Sequence, residues 1–398
     1  MIIPHPRVAE LRKSAFDRLG GLMRVEKFET WICTRPKGLF DESREGAAPM
    51  PWDYGVGRIT TSDGVEGLAT FWAARSGAVT QSYLADVIAP VILGRSITDR
   101  EKIWHDFWNI DRHGAFFPVF LPGPIDVAIW DAAAKTAELP LHQFIGSYRS
   151  KLPVYASSLW LETVEEYVTE ALRYKAKGFK AYKIHPCGPS DMDMAIHQAV
   201  RDAVGPDMIL MSDPVAEYSL SEAIKVARHL ETLNFRWLEE PFRDYELDKY
   251  AKLTAAVDIE IVGTETTRGG PWGIAQAIKS DAVNTVRADV SWKAGITGTL
   301  KSCHLAEAHG MNCELHTTTM GPMDMANVHV SCAVRNCDFF ELFVPEDTFQ
   351  APMKQSYYDF IDAEGDIHAP SGHGLGVDID WDLVENSCCS HQVFEHRG

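Results

Sequence analysis

The sequence predicts an α/β fold, in which a closed barrel of parallel strands follows a second, smaller α+β domain. First, short apolar runs alternate with helical segments from about residue 152 onwards, a pattern typical of a parallel sheet. Second, Asp213, Glu239 and Glu265 each close such a run and recur at intervals of 26 residues, the length of one strand plus one helix. Third, a barrel of about two hundred residues leaves roughly 150 residues at the N-terminus for another domain.

Eight segments are predicted to be the barrel strands, because each is a short apolar run bounded by turn residues. They are residues 152–158, 181–186, 208–214, 235–241, 259–265, 282–289, 312–318 and 339–344. Helical periodicity lies between them, for instance over 163–178, 221–233 and 297–310, and the first and last of these stop at a glycine suited to a helix C-terminus. Eight strands in alternation with helices favour closure.

The N-terminal part, up to about residue 149, alternates less regularly. Strand-like stretches at 25–34 and 57–61 flank a loop rich in Pro, Gly and acids at 36–55, and helical stretches follow around 83–92 and 99–109. This pattern predicts a small α+β domain with long loops, and such loops often carry function.

Composition excludes several classes of protein. The net charge of −18, with 56 acidic against 38 basic residues, argues against a nucleic-acid partner. Residues 1–10 have no apolar core of the signal-peptide type, and no stretch approaches the roughly 20 apolar residues that a membrane span needs, so we expect a cytoplasmic protein without a membrane partner. The eight cysteines are scattered without a CxxC pair, which predicts reduced, mostly buried thiols.

Polar residues follow the ends of successive predicted strands. They are Lys183, His185, Asp213, Glu239, Glu265, Asp289, His316 and Glu341. The C-terminal ends of parallel barrel strands open onto one face, so we expect these side chains to share a site. A lone carboxylate at a strand end is usually a solvated residue or a helix cap, but three in register repel one another unless a cation compensates them. The all-oxygen set of Asp213, Glu239 and Glu265 favours Mg²⁺ over Zn²⁺.

Short motifs recur in a fixed order along nearly the whole chain. They are Gly123–Asp131 with Lys135, Leu139–Pro140 and Gly146, then Trp237–Pro241, Gly263–Glu265, Asp289–Ser291 followed by Gly295–Gly298, and Gly374–Asp378. Together they resemble the enolase superfamily, specifically its mandelate racemase subgroup. The resemblance implies a modified (β/α)7β TIM barrel, an α+β capping domain formed from the N-terminal region and the C-terminal tail, and one essential Mg²⁺. The expected boundaries are 1–149 for the cap, 150–360 for the barrel and 361–398 for the segment that returns to the cap.

The resemblance also implies roles for individual residues. Asp213, Glu239 and Glu265 match the metal ligands, and His316 with Asp289 matches a catalytic dyad, in which the carboxylate fixes the imidazole tautomer and stabilises the imidazolium. An isolated His316 would more often be a core histidine bonded to a backbone carbonyl. Glu341 matches a carboxylate that donates to, or accepts from, a developing enediolate, or it is a half-exposed strand residue.

The second predicted strand departs from the common pattern of this subgroup, which is KxK with the second lysine as a base. Here Lys183-Ile184-His185 reads KxH, and residues two apart on a strand share a face. Lys183 is expected to supply positive charge to a substrate carboxylate. His185 is expected to be a base, a hydrogen-bond donor to the substrate, or a positional remnant.

The implied chemistry is proton abstraction beside a carboxylate, which gives an enediolate. We expect a dehydratase of an acid sugar, an aldonate or aldarate-like 2,3-dihydroxy acid, because one histidine acting as base and then acid needs only one face of the substrate. The alternatives are a racemase or epimerase that uses both histidines, and a catalytically silent metal-binding protein. Loops at 36–55 and around 75–78 are expected to contact the distal part of the substrate, with Arg44, Trp52 and Tyr54 as candidates. Arg268 either holds a second carboxylate or is solvated, and we expect a homo-oligomer.

Overall fold

A computed structural model describes residues 23–35, 52–73, 77–114, 120–186, 188–318, 321–345 and 352–397. In chain order its strands are β1 Val25–Arg35, β2 Trp52–Thr61, β3 Glu66–Trp72, β4 Lys151–Ser157, β5 Ala181–Ile184, β6 Ile209–Ser212, β7 Trp237–Glu239, β8 Glu260–Gly263, β9 Thr285–Ala288, β10 Cys313–Leu315, β11 Phe340–Phe343, β12 Asp366–His368 and β13 Cys388–Glu395.

The helices complete the alternation. They are α1 Gly77–Tyr83, α2 Ala89–Ile92, α3 Arg100–Gly114, α4 Pro122–Thr136, α5 Leu141–Ile145, α6 Val164–Ala176, α7 Ser190–Val204, α8 Leu220–Thr232, α9 Leu247–Thr254, α10 Pro271–Lys279, α11 Gly295–Ala308, α12 Pro322–Ala333 and α13 Trp381–Ser387, with a π-helical turn at Leu84–Ile88 and a 3-10 turn at Tyr357–Asp359.

Strands β4 to β11 form the predicted parallel barrel, with one helix, α6 to α12, between each pair. The barrel closes where β11 pairs in parallel with β4, Glu341 lying opposite Tyr155. All eight predicted strands are confirmed; seven are shorter than predicted, and β4 has the predicted length but begins one residue earlier. The ladder hydrogen bonds end before the polar residues that follow each strand, as in β8, which ends at Gly263. The fold is therefore a (β/α)7β barrel.

Local signals set the helix boundaries. Helix α6 begins with a capping box, in which the Thr163 side chain accepts from the Glu166 N–H and the Glu166 carboxylate accepts from the Thr163 N–H. The predicted glycine stops are confirmed, since Gly178 and Gly310 have φ values of +94° and +72°, a left-handed conformation that favours glycine.

The barrel interior is layered. Its lower part is filled by apolar side chains that point inward from the strands, namely Tyr155, Ala181, Met211, Trp237, Val262 and Phe339. Because side chains alternate along a strand, the residues two positions further on point into the same interior one layer higher. Lys183, Asp213, Glu239 and Glu341 occupy such positions, so the apolar layer forms the floor under the predicted polar site.

The cap is an antiparallel sheet of order β13-β1-β2-β3, built from both ends of the chain. The predicted cap is thus confirmed, with one correction: residues 52–55, predicted as part of a loop, belong to strand β2. The rest of that loop, 36–51, and residues 75–76 of the second predicted contact loop lie outside the described residues, whereas Gly77 and Ala78 begin helix α1.

Buried polar contacts join the cap sheet, helix α4 and the returning C-terminal segment. The carboxylate of Asp131 in α4 accepts from the N–H of Leu68 in β3 at 2.9 Å and from the N–H of Leu375 at 2.8 Å. Before the chain returns to the cap, strand β12 pairs antiparallel with β4. The C-terminal segment therefore contacts the barrel on its way to the cap sheet.

Candidate active site

The structure places all eight predicted polar residues at the C-terminal ends of the barrel strands. Lys183, Glu239 and Glu341 lie within β5, β7 and β11, and the others follow β5, β6, β8, β9 and β10 by one or two residues. Ion pairs of 2.7 to 3.5 Å link them into two groups, one around Lys183 and one around His316.

His316 and Asp289 form the predicted pair. The His316 Nδ1 lies 2.7 Å from Asp289 Oδ2, and the other oxygen of this fully buried carboxylate accepts from the Trp292 N–H at 2.6 Å. The carboxylate fixes the proton of the imidazole on Nδ1, which leaves Nε2 to face the barrel mouth, 3.5 Å from Glu265. Burial disfavours the imidazolium, but Glu265 and Asp289 outweigh this and raise the pKa of His316 to about 9.

Asn327, which the sequence analysis missed, hydrogen-bonds to the backbone next to both members of this pair. Its amide nitrogen donates to the His316 carbonyl at 2.9 Å, and its amide oxygen accepts from the Val290 N–H at 3.1 Å. Asn327 therefore ties the ends of β9 and β10 together. The signal in the sequence that could have indicated it is an asparagine directly between Ala326 and Val328 in α12.

Lys183 is the centre of the second group. Its fully buried ammonium lies 2.7 Å from Glu341, 3.0 Å from Glu239 and 3.4 Å from Asp213. Burial would lower the pKa of Lys183, but Glu239 and Glu341 outweigh burial and hold it well above its usual range. The ammonium is therefore a permanent positive charge at the floor of the site.

Arg287 is a second buried cation that the sequence analysis missed. Its Nε lies 2.8 Å from Glu239 Oε1, its other nitrogens bond to the Tyr155 hydroxyl at 2.8 Å and the Leu315 carbonyl at 3.2 Å, and one of them also contacts Glu341. A signal was present, because Arg287 stands two residues before Asp289 and alternation sends both side chains into the barrel.

Lys183 and Arg287 keep the carboxyl group of Glu341 ionised. Burial alone would raise its pKa, but Arg287 and Lys183 outweigh burial and lower it. The ionised carboxylate accepts from the Ser157 hydroxyl at 2.9 Å and the Thr317 N–H at 3.3 Å. Of the two roles expected for this fully buried residue, the contacts favour accepting hydrogen bonds over donating one.

His185 is held at both ring nitrogens. Its Nδ1 donates to the Ser158 carbonyl at 2.6 Å, and its Nε2 lies 3.1 Å from Asp213 Oδ2. The ring stacks on Phe343, with centroids 5.6 Å apart, and Phe343 also meets the His316 ring edge-on at 6.2 Å. An apolar ring therefore lies between the two histidines, and neither nitrogen of His185 is free of a contact.

The three acids predicted to hold Mg²⁺ sit on consecutive strands, but they do not converge on one point. Among the described residues, no three His, Cys, Asp or Glu side chains form a metal-binding group as they stand, since Glu239 turns inward to Lys183, Arg287 and the Trp237 indole. Their chemistry nevertheless fits a hard cation. Burial raises the pKa of Glu265 to about 7. His316 and Arg287 lower this pKa, whereas Asp213 and Glu239 raise it further. An added positive charge would therefore stabilise the ionised form of Glu265.

The cap side of the mouth is aromatic. Trp292, in the loop after β9, lies 6.3 Å from the Trp72 ring of β3 and 6.2 Å from the Phe120 ring. Tyr54, predicted to face the substrate, is instead buried in the cap, with its hydroxyl 2.9 Å from Ser387. That prediction is wrong, because the strand at 52–61 turns Tyr54 into the cap interior.

Other sequence candidates remain predictions. Arg44 and the side chain of Trp52 lie outside the described residues, and Arg268 is exposed. Seven described cysteines are free thiols, five of them buried, and Cys187 lies outside the described part. Within the described ranges, no helix is long and apolar enough to cross a membrane.

A capped (β/α)7β barrel with acids, a lysine and a His–Asp pair at its strand ends defines the class of enolase-type proteins. Family models match both parts of the chain: the mandelate racemase / muconate lactonizing enzyme N-terminal domain at residues 53–146, and the enolase C-terminal domain-like family at 166–383. The chain belongs to the mandelate racemase subgroup of the enolase superfamily, and the resemblance seen in the sequence is confirmed.

Named relatives span two kinds of reaction. Arabinonate dehydratase of Saccharolobus solfataricus is 26% identical over 366 residues, 89% of this chain and 96% of its own. D-galactarolactone cycloisomerase of Agrobacterium fabrum is 28% identical over 78% of this chain and 84% of its own. The crystal structure of D-glucarate dehydratase from Agrobacterium tumefaciens, complexed with magnesium, is 30% identical with a TM-score of 0.83, covering 93% of this chain and 100% of that one.

Proposed function

We propose that this protein is a Mg²⁺-dependent dehydratase, a carbon–oxygen lyase, that converts an aldonate or aldarate-like 2,3-dihydroxy acid to a 2-keto-3-deoxy acid. The observation that carries the proposal is the asymmetry between the two histidines. Asp289 holds Nδ1 of His316 at 2.7 Å and leaves its Nε2 3.5 Å from Glu265, whereas His185 donates Nδ1 to the Ser158 carbonyl at 2.6 Å and its Nε2 lies closer to a carboxylate, 3.1 Å from Asp213. A site with one available base favours a reaction on one face of the substrate.

Asp213, Glu239 and Glu265 would hold Mg²⁺, which when bound supplies a Lewis acid that stabilises the developing charge on the substrate carboxylate. Lys183 adds a fixed positive charge beside the same position, because Glu239 and Glu341 keep its ammonium in place. These preorganised charges favour the enediolate over the ground-state carboxylate. The crystallised glucarate dehydratase with magnesium supports the choice of metal.

His316 then acts first as a base and afterwards as an acid. Its Nε2 accepts the proton from the carbon beside the carboxylate, and the C–H electrons pass into the enediolate, while Asp289 stabilises the imidazolium. The imidazolium next gives this proton to the β-hydroxyl, the C–O bond breaks with its electrons on oxygen, and water leaves. The remaining enol becomes the 2-keto acid.

A racemase or epimerase is the second candidate. It would need His185 to act on the opposite face, and for this its Nε2 would have to leave Asp213, 3.1 Å away. The cycloisomerase among the relatives supports a related elimination, in which the group expelled from the β-carbon is the ring oxygen of a lactone.

The test is a panel of sugar acids and lactones incubated with the purified protein and Mg²⁺ in D₂O. Formation of 2-keto-3-deoxy acid with loss of water supports the dehydratase. Exchange of the α-proton with inversion and without keto acid would assign a racemase or epimerase, and keto product from a lactone alone would assign a cycloisomerase. A protein that binds Mg²⁺ but neither exchanges nor eliminates on any member of the panel would indicate a silent metal-binding protein.

A further inference from the structure

Lys293 is a buried lysine in the loop between β9 and α11, four residues after Asp289 in the chain. Its side chain is fully buried, and its Nζ donates to the backbone carbonyls of Thr264 at 2.5 Å, Glu265 at 2.7 Å and Thr267 at 3.2 Å. All three carbonyls belong to the loop after β8, which carries Glu265.

The contacts match an ammonium ion. A protonated lysine has three N–H donors and a neutral amine has two, so three carbonyl acceptors around one nitrogen fit the charged form. Burying an unpaired ammonium is costly, and burial lowers the pKa of Lys293, while Asp289, Asp244 and Glu240 act in the opposite direction. The loop therefore forms a cage of carbonyl dipoles for a cation that is tethered to the next strand.

The same stretch of backbone is held from other sides. The N–H of Glu265 donates to the Glu240 carboxylate at 3.2 Å, and the Thr264 hydroxyl donates to the Arg287 carbonyl at 3.0 Å. Thr264 has a φ of +85°, a conformation that a β-branched residue adopts only when its surroundings impose it. Lys293 supplies the contacts on the carbonyl side of this constrained turn.

We propose that Lys293 is a positioning residue, a tethered internal cation that fixes the turn at Thr264 and Glu265 so that the Glu265 carboxylate is directed toward the Mg²⁺ site. This inference rests on the proposed function, because it assumes that Glu265 is a metal ligand. It does not require that the substrate or the reaction be known.

The test uses Lys293→Ala, which removes the ammonium and leaves the carbonyl cage. Mg²⁺ affinity is measured by titration calorimetry without substrate. We expect it to fall by about 10- to 100-fold, the usual effect of losing a group that orients a metal ligand. Methylammonium or ethylammonium should restore affinity, because each brings three N–H donors into the cage. Tetramethylammonium, with the same charge and no N–H donor, should not restore it.

Lys301→Ala is the matched control, since Lys301 is a lysine of the following helix whose Nζ forms a surface pair with Glu101 at 2.9 Å, and its Mg²⁺ affinity should equal that of the wild type. Wild-type affinity in Lys293→Ala, or a loss that both classes of ammonium ion restore equally, would overturn the proposal. If Lys293→Ala does not fold, Lys293→Met fills the space without a charge and must show the same loss of affinity. A wild-type protein that binds no Mg²⁺ would instead remove the proposed metal chemistry itself, so the two failures are distinct.

Discussion

At the scale of single residues, the chemistry depends on which histidine has a ring nitrogen directed to the substrate. Asp289 orients His316, whereas Ser158 and Asp213 occupy the two nitrogens of His185. Each histidine directly follows a barrel strand, and the partners of the two rings distinguish them.

The two histidines should respond differently to mutation. His316→Asn removes the acid and base, and we expect both α-proton exchange and turnover to fall by about 10²- to 10⁴-fold. His185→Asn should keep measurable exchange, with the larger effect on KM, because Asp213 loses a neighbour while His316 is untouched. The measurement is exchange in D₂O beside kcat and KM, and the reverse ranking would place the base on β5.

Arg287 should matter for stability more than a surface arginine does. Arg287→Met leaves Glu239 and Glu341 buried with one cation fewer, and removing one partner of a buried ion pair costs about 3–5 kcal/mol. Chemical denaturation measures this loss. Arg335→Met is the control, because Arg335 is exposed and pairs with Glu307 at the surface, and its midpoint should hardly move. Equal midpoints for the two variants would show that the interior network compensates itself without Arg287.

At the scale of elements, the contacts between neighbouring strand ends set the geometry of the dyad. Asp289 follows β9 and His316 follows β10, and the two strands pair in parallel. Asn327 of α12 bonds to the backbone after each of these strands. Helix α12, which packs outside the barrel, thereby fixes the spacing of Asp289 and His316 at the barrel mouth.

Asn327→Ala should therefore reduce kcat as well as stability. Leaving the Val290 N–H and the His316 carbonyl buried without partners costs about 1–3 kcal/mol each, and the dyad loses the bridge that fixes its spacing. Thr163→Ala is the control, because it removes the N-cap of α6 at a cost of about 1 kcal/mol without a contact to the site. Stability is compared by denaturation and activity by kcat. A normal kcat in Asn327→Ala would mean that the strand ends alone fix the dyad.

At the scale of the whole molecule, buried titratable groups make stability depend on pH in opposing directions. Burial lowers the pKa of His197 to about 3, whereas it raises that of Asp126 to about 7. His197 stays neutral in the folded protein and becomes charged in the unfolded chain below about pH 6.5. Its contribution to stability is therefore present above that pH and is lost as the pH falls toward 3.

His197→Gln should remove this contribution. Relative to the variant, the wild type should lose about 1.4 kcal/mol of unfolding free energy per pH unit below about pH 6.5. The difference in unfolding free energy between the wild type and His197→Gln is measured from denaturation midpoints between pH 7.5 and 5. Other titratable groups such as Asp126 are present in both proteins, so their opposite pH dependence cancels in this difference. An exposed histidine, His105, provides the control variant His105→Gln. A constant difference across this range would show that His197 has the same pKa in the folded and unfolded states.

Local patterns in the sequence were enough to predict the barrel, the order of its strands and the polar residues at their ends. Periodicity and strand alternation are local properties, and a closed parallel barrel brings every strand end to one mouth whatever the details of packing. The metal and catalytic roles of Asp213, Glu239, Glu265, Asp289 and His316 stay predictions, although the structure places these residues as the sequence requires.

Which charged groups contact one another could be read only from the folded structure. The contacts of Arg287 with Glu239, of Lys293 with the turn at Glu265 and of Asn327 with two strand ends join residues 11 to 48 positions apart in the chain. Such pairings depend on which strand ends become neighbours and on how deeply each side chain is buried, and alternation along a single strand encodes neither. The same is true of Tyr54, which strand alternation alone could not assign to the cap interior, because the face of the sheet that is covered depends on how the C-terminal segment returns.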